Sequence, residues 1–162
     1  MNGAPASLDA FAGHVLVVQL VRYFGCLPCQ QWLIELDRAS AELATLGARP
    51  LAVGGSAVYQ ARWLREEKGV GMPLLLDADQ RLRAALGVGM LRAGLLNPRG
   101  MASYARALSH GLRPQRITQD TIQAPGVLIL DAGLNERWRH VGTRIGDYPP
   151  LGVVLAAVAD PS

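Results

Sequence analysis

"VRYFGCLPCQQWLIEL" spans residues 21–36 and holds both cysteines of the 162-residue chain, Cys26 and Cys29. The run that leads into it, "HVLVVQLVRYF" (14–24), is apolar, rich in β-branched residues and too short for a buried helix. That pattern predicts a central strand. The run that leaves it, "LPCQQWLIELDRASAELATLG" (27–47), repeats Trp32, Leu33, Leu36, Leu43 and Leu46 at helical spacing and ends at Gly47, a stop signal. The cysteine pair therefore falls where a strand hands over to a helix.

The same alternation continues outward. "RPLAVGG" (49–55) reads as a second buried strand, and Ser56 is placed to cap a helix through "AVYQARWLREEKG" (57–69). "MPLLLDAD" (72–79) reads as a third strand and "QRLRAALG" (80–87) as a short helix. Short connections in a β-α-β-α-β-α order imply an α/β fold with parallel strands and helices on both faces. The rhythm stops over 88–124, an expected insert, in which "MASYARALSHG" (101–111) has helical character. "PGVLILDAG" (125–133) and "ERWRHVGT" (136–143) then read as a hairpin turning near Gly133 and Asn135, which makes the sheet mixed. "DYPPLGVVLAAVAD" (147–160) closes the chain as a helix with Pro149 or Pro150 in its first turn. One domain over 1–162 is expected at this length.

Half of the residues are hydrophobic and 18% are charged, a composition that folds without staples. No apolar run reaches the roughly 20 residues needed to cross a bilayer, because Gln19 and Arg22 interrupt the longest candidate. The N-terminal "MNGAPASLDAFAGH" has no secretory pattern, so a cytoplasmic, reducing location is expected. There a close cysteine pair points to redox or metal chemistry instead of a staple. A zinc site needs four ligands, and His14, His110 and His140 form no spaced pair, so neither a metal nor another cofactor is expected. The net charge of +3 comes almost wholly from arginine. Arg81, Arg83, Arg92, Arg99, Arg106, Arg113 and Arg116 lie between Asp79 and Asp120 with no carboxylate among them. They are read as a solvated surface, with no nucleic-acid partner.

At a strand–helix junction, free N–H groups and the positive end of the helix dipole stabilise a thiolate. On this ground Cys26 is expected to be the more ionised and more exposed thiol. Cys29, one turn on, shares its face and can close a disulfide with it. Pro28 suits the first turn because its missing N–H would have no partner there. Arg22, at the end of the strand, is a candidate for lowering the thiol pKa, and Tyr23 for lining a groove. Pro125 marks a strand entrance, and a cis bond there would bring the backbone beside the sulfurs. Trp32 reads as core, and Asp77, Asp79 and Asp131 as turn or cap residues.

The element order with Cys-x-x-Cys on the first helix resembles the thioredoxin fold. "RYFGCLPCQQW", "PGVLILDAG" and "IGDYPPLGVVLAA" resemble the peroxiredoxin-like branch of the AhpC/TSA superfamily over about 14–158. The resemblance implies a thioredoxin-like α/β fold with a central mixed sheet. It also implies a thiol–disulfide oxidoreductase or antioxidant protein, with Cys26 as nucleophile, Cys29 resolving and Pro125 shaping the groove. A protein disulfide or hydroperoxide would be the substrate, a thioredoxin or glutathione system the reductant, and a homodimer a possible assembly. The chain departs from typical peroxiredoxins at Tyr23, where they carry Thr, and at Leu27, where they carry Pro. A thiol-dependent peroxidase and a non-catalytic thioredoxin-fold binding module are the alternative readings.

Overall fold

A computed structural model describes residues 7–55, 57–91, 98–118 and 123–160. A 3-10 turn at Asp9–Phe11 precedes β1 (Val15–Leu20), α1 (Leu27–Arg38), α2 (Ser40–Thr45), β2 (Ala48–Val53) and α3 (Val58–Lys68). There follow β3 (Leu74–Leu75), α4 (Arg81–Ala85), α5 (Pro98–Ser109), β4 (Gly126–Leu130), β5 (Glu136–Val141) and α6 (Leu151–Ala159). The five strands form one mixed sheet in the order β3-β2-β1-β4-β5. β1 runs parallel to β2 and antiparallel to β4, so the strand leading to the cysteines is central, as its apolar run implies. β5 returns antiparallel to β4 through the expected hairpin. Its turn is held by Asp131, whose carboxylate accepts the backbone N–H groups of Gly133 and Asn135 at 2.8 Å each.

Alternation along β1 divides the core. Val17 and Val21 pack with Leu33 and Leu36 of α1, Ala61 and Leu64 of α3, and Val154 and Val158 of α6. Leu16, Val18 and Leu20 face the other way, against Leu8, Phe11, Val88 and the α4 residues Leu82 and Leu86. Helices thus cover both faces of the sheet. Each fully buried leucine contributes about 1.5–3 kcal/mol of transfer free energy, so α1 is held by its Leu33–Leu36 stripe more than by its own propensity.

Several boundaries differ from the sequence reading. β1 ends at Leu20, because the chain then turns tightly and the Cys26 N–H bonds the Tyr23 carbonyl at 3.1 Å. The 27–47 helix breaks at Ala39 into α1 and α2. β3 keeps only two residues, between Pro73 and the α4-capping Asp77. Ser56 lies outside the described residues, and Ala57 is the residue that precedes α3. Pro125 stands at the mouth of β4 as expected, but its bond is trans, since no described peptide bond is cis. Its carbonyl accepts the Gly142 N–H at 2.8 Å, which already fixes the strand entrance.

Gly54, just after β2, has φ +149°, and a Cβ there would lie 2.4 Å from the Val21 carbonyl oxygen. That neighbour is backbone at the end of the central strand and cannot swing aside. Gly54→Ala is expected to cost more than about 2 kcal/mol. Chemical denaturation checks this, and a change under about 0.5 kcal/mol would show that the two backbone segments can part without loss.

Candidate active site

Cys26 is the N-cap residue of α1, and Gln30 N–H bonds its carbonyl at 2.9 Å to start the helix. The two sulfurs lie 3.0 Å apart as free thiols, with the Cys29 S–H donating to Cys26. Closing to a disulfide needs only about 1 Å of further approach, given the S–S length of roughly 2.05 Å. Spacing and local structure therefore bring the pair together as the sequence implies.

Their exposure does not follow the sequence reading. Cys26 and Cys29 are both 0% exposed, so Cys26 is not the open thiol that its terminal position suggested. Arg22 and Tyr23 are buried as well, although the end of a strand suggested solvent. The cover comes from segments remote in sequence. Gly25 N–H donates to Gln60 Oε1 at 3.2 Å, and Gln60 Nε2 donates to the Arg116 carbonyl at 2.8 Å. Gln115 N–H reaches the Gly25 carbonyl at 3.4 Å. Residues 112–118 are thereby strapped across the loop that carries Cys26. A Cβ on Gly25 would meet Gln60 Nε2 at 2.6 Å and Gln115 Cβ at 2.8 Å, so glycine is what lets the strap close.

Burial also reverses the expected order of acidity. Cys26 is pushed well up, first by desolvation and then by its bond and charge coupling to Cys29, with Arg22 pulling the other way. Desolvation pushes Cys29 up too. Hydrogen bonds from Cys26, from the Tyr148 hydroxyl and from the Arg22 backbone N–H outweigh it and bring Cys29 down to about 7. The pair thus gives up one proton easily and holds the second, a property of the couple as a whole. Arg22 Nη1 stands 3.9 Å from Cys26 Sγ, and the guanidinium lies 5.7 Å from the Tyr23 ring centroid. Burial works against its charge, but the two thiols outweigh that and raise its pKa. Tyr104 of α5 bonds Arg22 and is pushed up to about 12, mainly by burial.

Four further residues shape the site. Gln19 Nε2 donates to the Cys29 carbonyl at 3.2 Å, and Gln30 Nε2 to the Phe24 carbonyl at 3.0 Å. A glutamine at an inward position of "VLVVQLV" is the signal that could have found Gln19. Tyr148 stacks on Trp32 at 5.1 Å between centroids, and Trp32 is core as expected. Arg83 is the fourth. Instead of joining a solvated arginine surface it is 3% exposed, with Nη1 donating to the Ala124 carbonyl at 2.6 Å and Nη2 to the Val21 carbonyl at 2.5 Å. It ties the residue before Arg22 to the residue before Pro125. Arg113 and Arg116 are exposed, as read. Among the described residues no group of three or more His, Cys, Asp or Glu side chains could hold a metal ion.

A mixed sheet whose central strand delivers a Cys-x-x-Cys to the mouth of a helix is the thioredoxin-like arrangement of thiol redox proteins. The sequence profile of the AhpC/TSA family matches residues 1–131, and the chain belongs to that family. It is thus a thiol-dependent oxidoreductase of peroxiredoxin-like fold. Human prostamide/prostaglandin F synthase is 29% identical over 150 residues, which is 88% of this chain and 74% of that one. Peroxiredoxin Q of Xanthomonas campestris superposes with a TM-score of 0.65 at 19% identity, covering 94% of this chain and 82% of that one. The peroxidoxin BcpB of Mycobacterium tuberculosis gives 0.68 at 16%, covering 96% and 86%. At these identities the structural likeness is one of fold. No described helix is long and apolar enough to cross a membrane.

Proposed function

We propose that Cys26 and Cys29 are the redox couple, Cys26 attacking and Cys29 resolving. The observation that carries this is a pair of free thiols 3.0 Å apart at a helix mouth, with the Arg22 guanidinium 3.9 Å from the first. The S–H···S contact lets the single negative charge pass from Cys29 to Cys26, nearest Arg22. Cys26 sits in the loop beneath the 112–118 strap, so parting of that strap uncovers it first.

With a disulfide substrate, the Cys26 thiolate forms a mixed disulfide and expels one thiolate. Cys29 then loses its proton, attacks the Cys26 sulfur and expels the second. With a hydroperoxide, Cys26 takes the terminal oxygen as sulfenic acid and the alkoxide leaves as the alcohol. The Cys29 thiol then condenses with it, releasing water. Either way the pair ends as a disulfide, and a small thiol or a thioredoxin-type protein returns two electrons. Burial of both sulfurs favours a small oxidant, a hydroperoxide in particular, over a folded protein disulfide. Arg22 Nε has no hydrogen-bond partner among the described residues, which suits it to bind an oxygen of such a substrate. Tyr23 and Pro125 belong to the walls of this groove. A reducing compartment would return the thiol state between turnovers.

The test mixes reduced protein with hydrogen peroxide or a small disulfide and follows both thiols by intact mass. Both are expected to disappear together into one intramolecular disulfide. Because the thiolate is the nucleophile, the rate rises as pH passes upward through about 7 and falls below it. Oxidation no faster than that of a free thiol with either reagent would remove the reading.

A further inference from the structure

We propose that Arg113 and Arg116 make the mouth above Cys26 an entrance for anionic substrates, so that the preferred oxidant is a small hydroperoxide carrying a carboxylate or phosphate of its own. This rests on the redox role of the pair and adds the substrate class. The two arginines belong to the run 112–118, which has no regular secondary structure and is fixed through its backbone. Leu112 is buried against Leu27 and Ala107. Gln115 N–H reaches the Gly25 carbonyl at 3.4 Å, and the Arg116 carbonyl accepts Gln60 Nε2 at 2.8 Å. The backbone is spent on these inward bonds, and Arg113 and Arg116 are left exposed over the loop that carries Cys26.

Their charge is not cancelled where they stand. Neither forms an ion pair among the described residues. Residues 98–118 contain no Asp or Glu, and neither does the loop beneath, 21–26. On α1 the first carboxylate is Glu35, eight residues beyond Leu27, and it already accepts from Gln31 Nε2 at 3.2 Å. On α3 it is Glu66, six residues beyond Gln60. At a rise of 1.5 Å per residue these stand about 9–12 Å further along their helices. The charged residue of the loop itself is Arg22, 7% exposed, with Nη1 3.9 Å from Cys26 Sγ and Nε unpartnered among the described residues. One buried and two exposed guanidiniums therefore surround the way to Cys26. A mouth lined by one sign of charge raises the local concentration of the opposite sign.

A doubly functional substrate uses both levels. Its acidic group pairs with Arg113 and Arg116 outside, and its peroxide oxygen goes inward to Arg22 Nε. The oxygen transfer is the one already given. The Cys26 thiolate takes the terminal oxygen and becomes sulfenic acid, the O–O bond breaks, and the alkoxide takes a proton from water. An uncharged hydroperoxide meets Arg22 alone and gains nothing from the strap.

Two measurements on the full-length reduced protein test this. The first needs no turnover and no access to the sulfurs. Small nitroxides of opposite charge, one a carboxylate and one an ammonium, are added in turn, and the relaxation of backbone amide protons is read by NMR. At low salt the anionic nitroxide is expected to relax the Gln115 and Arg116 amides about threefold more than the cationic one. The difference should shrink as salt shortens the Debye length from about 30 Å at 0.01 M to about 3 Å at 1 M. Equal relaxation by the two probes overturns the proposal, and so does a difference that survives in Arg113→Gln/Arg116→Gln. The second measurement compares a carboxylate-bearing with an uncharged alkyl hydroperoxide. The ratio of their rates, anionic over neutral, is expected to fall about threefold in the double variant. Arg81→Gln, at an exposed arginine of α4 beside Asp79, leaves the ratio as it is. A ratio unmoved by the double variant overturns the proposal. Should that variant not fold, the salt dependence of both readouts in the parent decides, and its absence overturns the proposal. A protein that reduces neither hydroperoxide would sink the redox reading, while the nitroxide result still settles whether the mouth gathers anions.

Discussion

Cys26→Ser is expected to lose at least a thousandfold in turnover of any disulfide or hydroperoxide, whereas Cys29→Ser keeps the first step and stalls on the second. The asymmetry follows from the order of bond making. Without Cys26 the remaining thiol sits one turn inside the helix, fully buried and farther from the loop that the 112–118 strap crosses. Without Cys29 the attacking sulfur is still at the helix mouth beside Arg22, 3.9 Å from its Nη1. Its adduct, a mixed disulfide or a sulfenic acid, then has no neighbour 3.0 Å away to displace it. Intact mass after a single exposure to oxidant reads the difference, as an adduct retained by Cys29→Ser and absent from Cys26→Ser. Full turnover by Cys26→Ser would assign the attack to the inner sulfur.

The second large effect is on stability. Arg83→Ala is expected to cost about 3–5 kcal/mol. The guanidinium is buried and meets two backbone carbonyls, Val21 and Ala124, at 2.5 and 2.6 Å. Truncation leaves both acceptors without a donor in a place closed to water, along with the volume of the side chain. Asp77 compounds the loss, because its carboxylate accepts the Leu82 and Arg83 N–H groups at 3.2 and 2.9 Å to start α4 and also faces the arginine charge. Arg83→Lys restores a charge but not the planar fork that spans two carbonyls, so it recovers only part of the loss. Urea denaturation of the reduced protein measures both variants. A change below about 0.5 kcal/mol for the alanine variant would mean that the strand ends need no tie.

The central strand and the closing hairpin were well legible in the sequence. "HVLVVQLVRYF" is central because it is apolar on both faces, and the hairpin after Gly126 reverses direction at a turn that Asp131 holds. Lengths were harder to read, because β1 stops where the backbone folds into the Tyr23–Cys26 turn and the apolar letters run on past it. The candidate site was legible as two sulfurs with Arg22 beside them, and little more. Spacing places Cys26 and Cys29 on one face of one helix, which is local geometry. Burial is not local. It depends on Gln60 of α3 catching the Arg116 carbonyl, and on a tyrosine 119 positions after Cys29 settling against Trp32. Arg83 is the sharpest case. In sequence it is one of seven arginines in a stretch without carboxylates, and only the fold separates it from the exposed Arg81, Arg106, Arg113 and Arg116.

The strap closed by Gln60 bears on how long the catalyst lasts. A sulfur left in contact with oxidant proceeds from sulfenic to sulfinic acid, a step that is generally not reversed. Were Cys26 the attacking sulfur, a brief parting of the strap would admit one oxidising event, and reclosure would set the spent sulfur against its partner before a second could arrive. Slower capture of each molecule would be the cost of that arrangement, and endurance through many cycles the return.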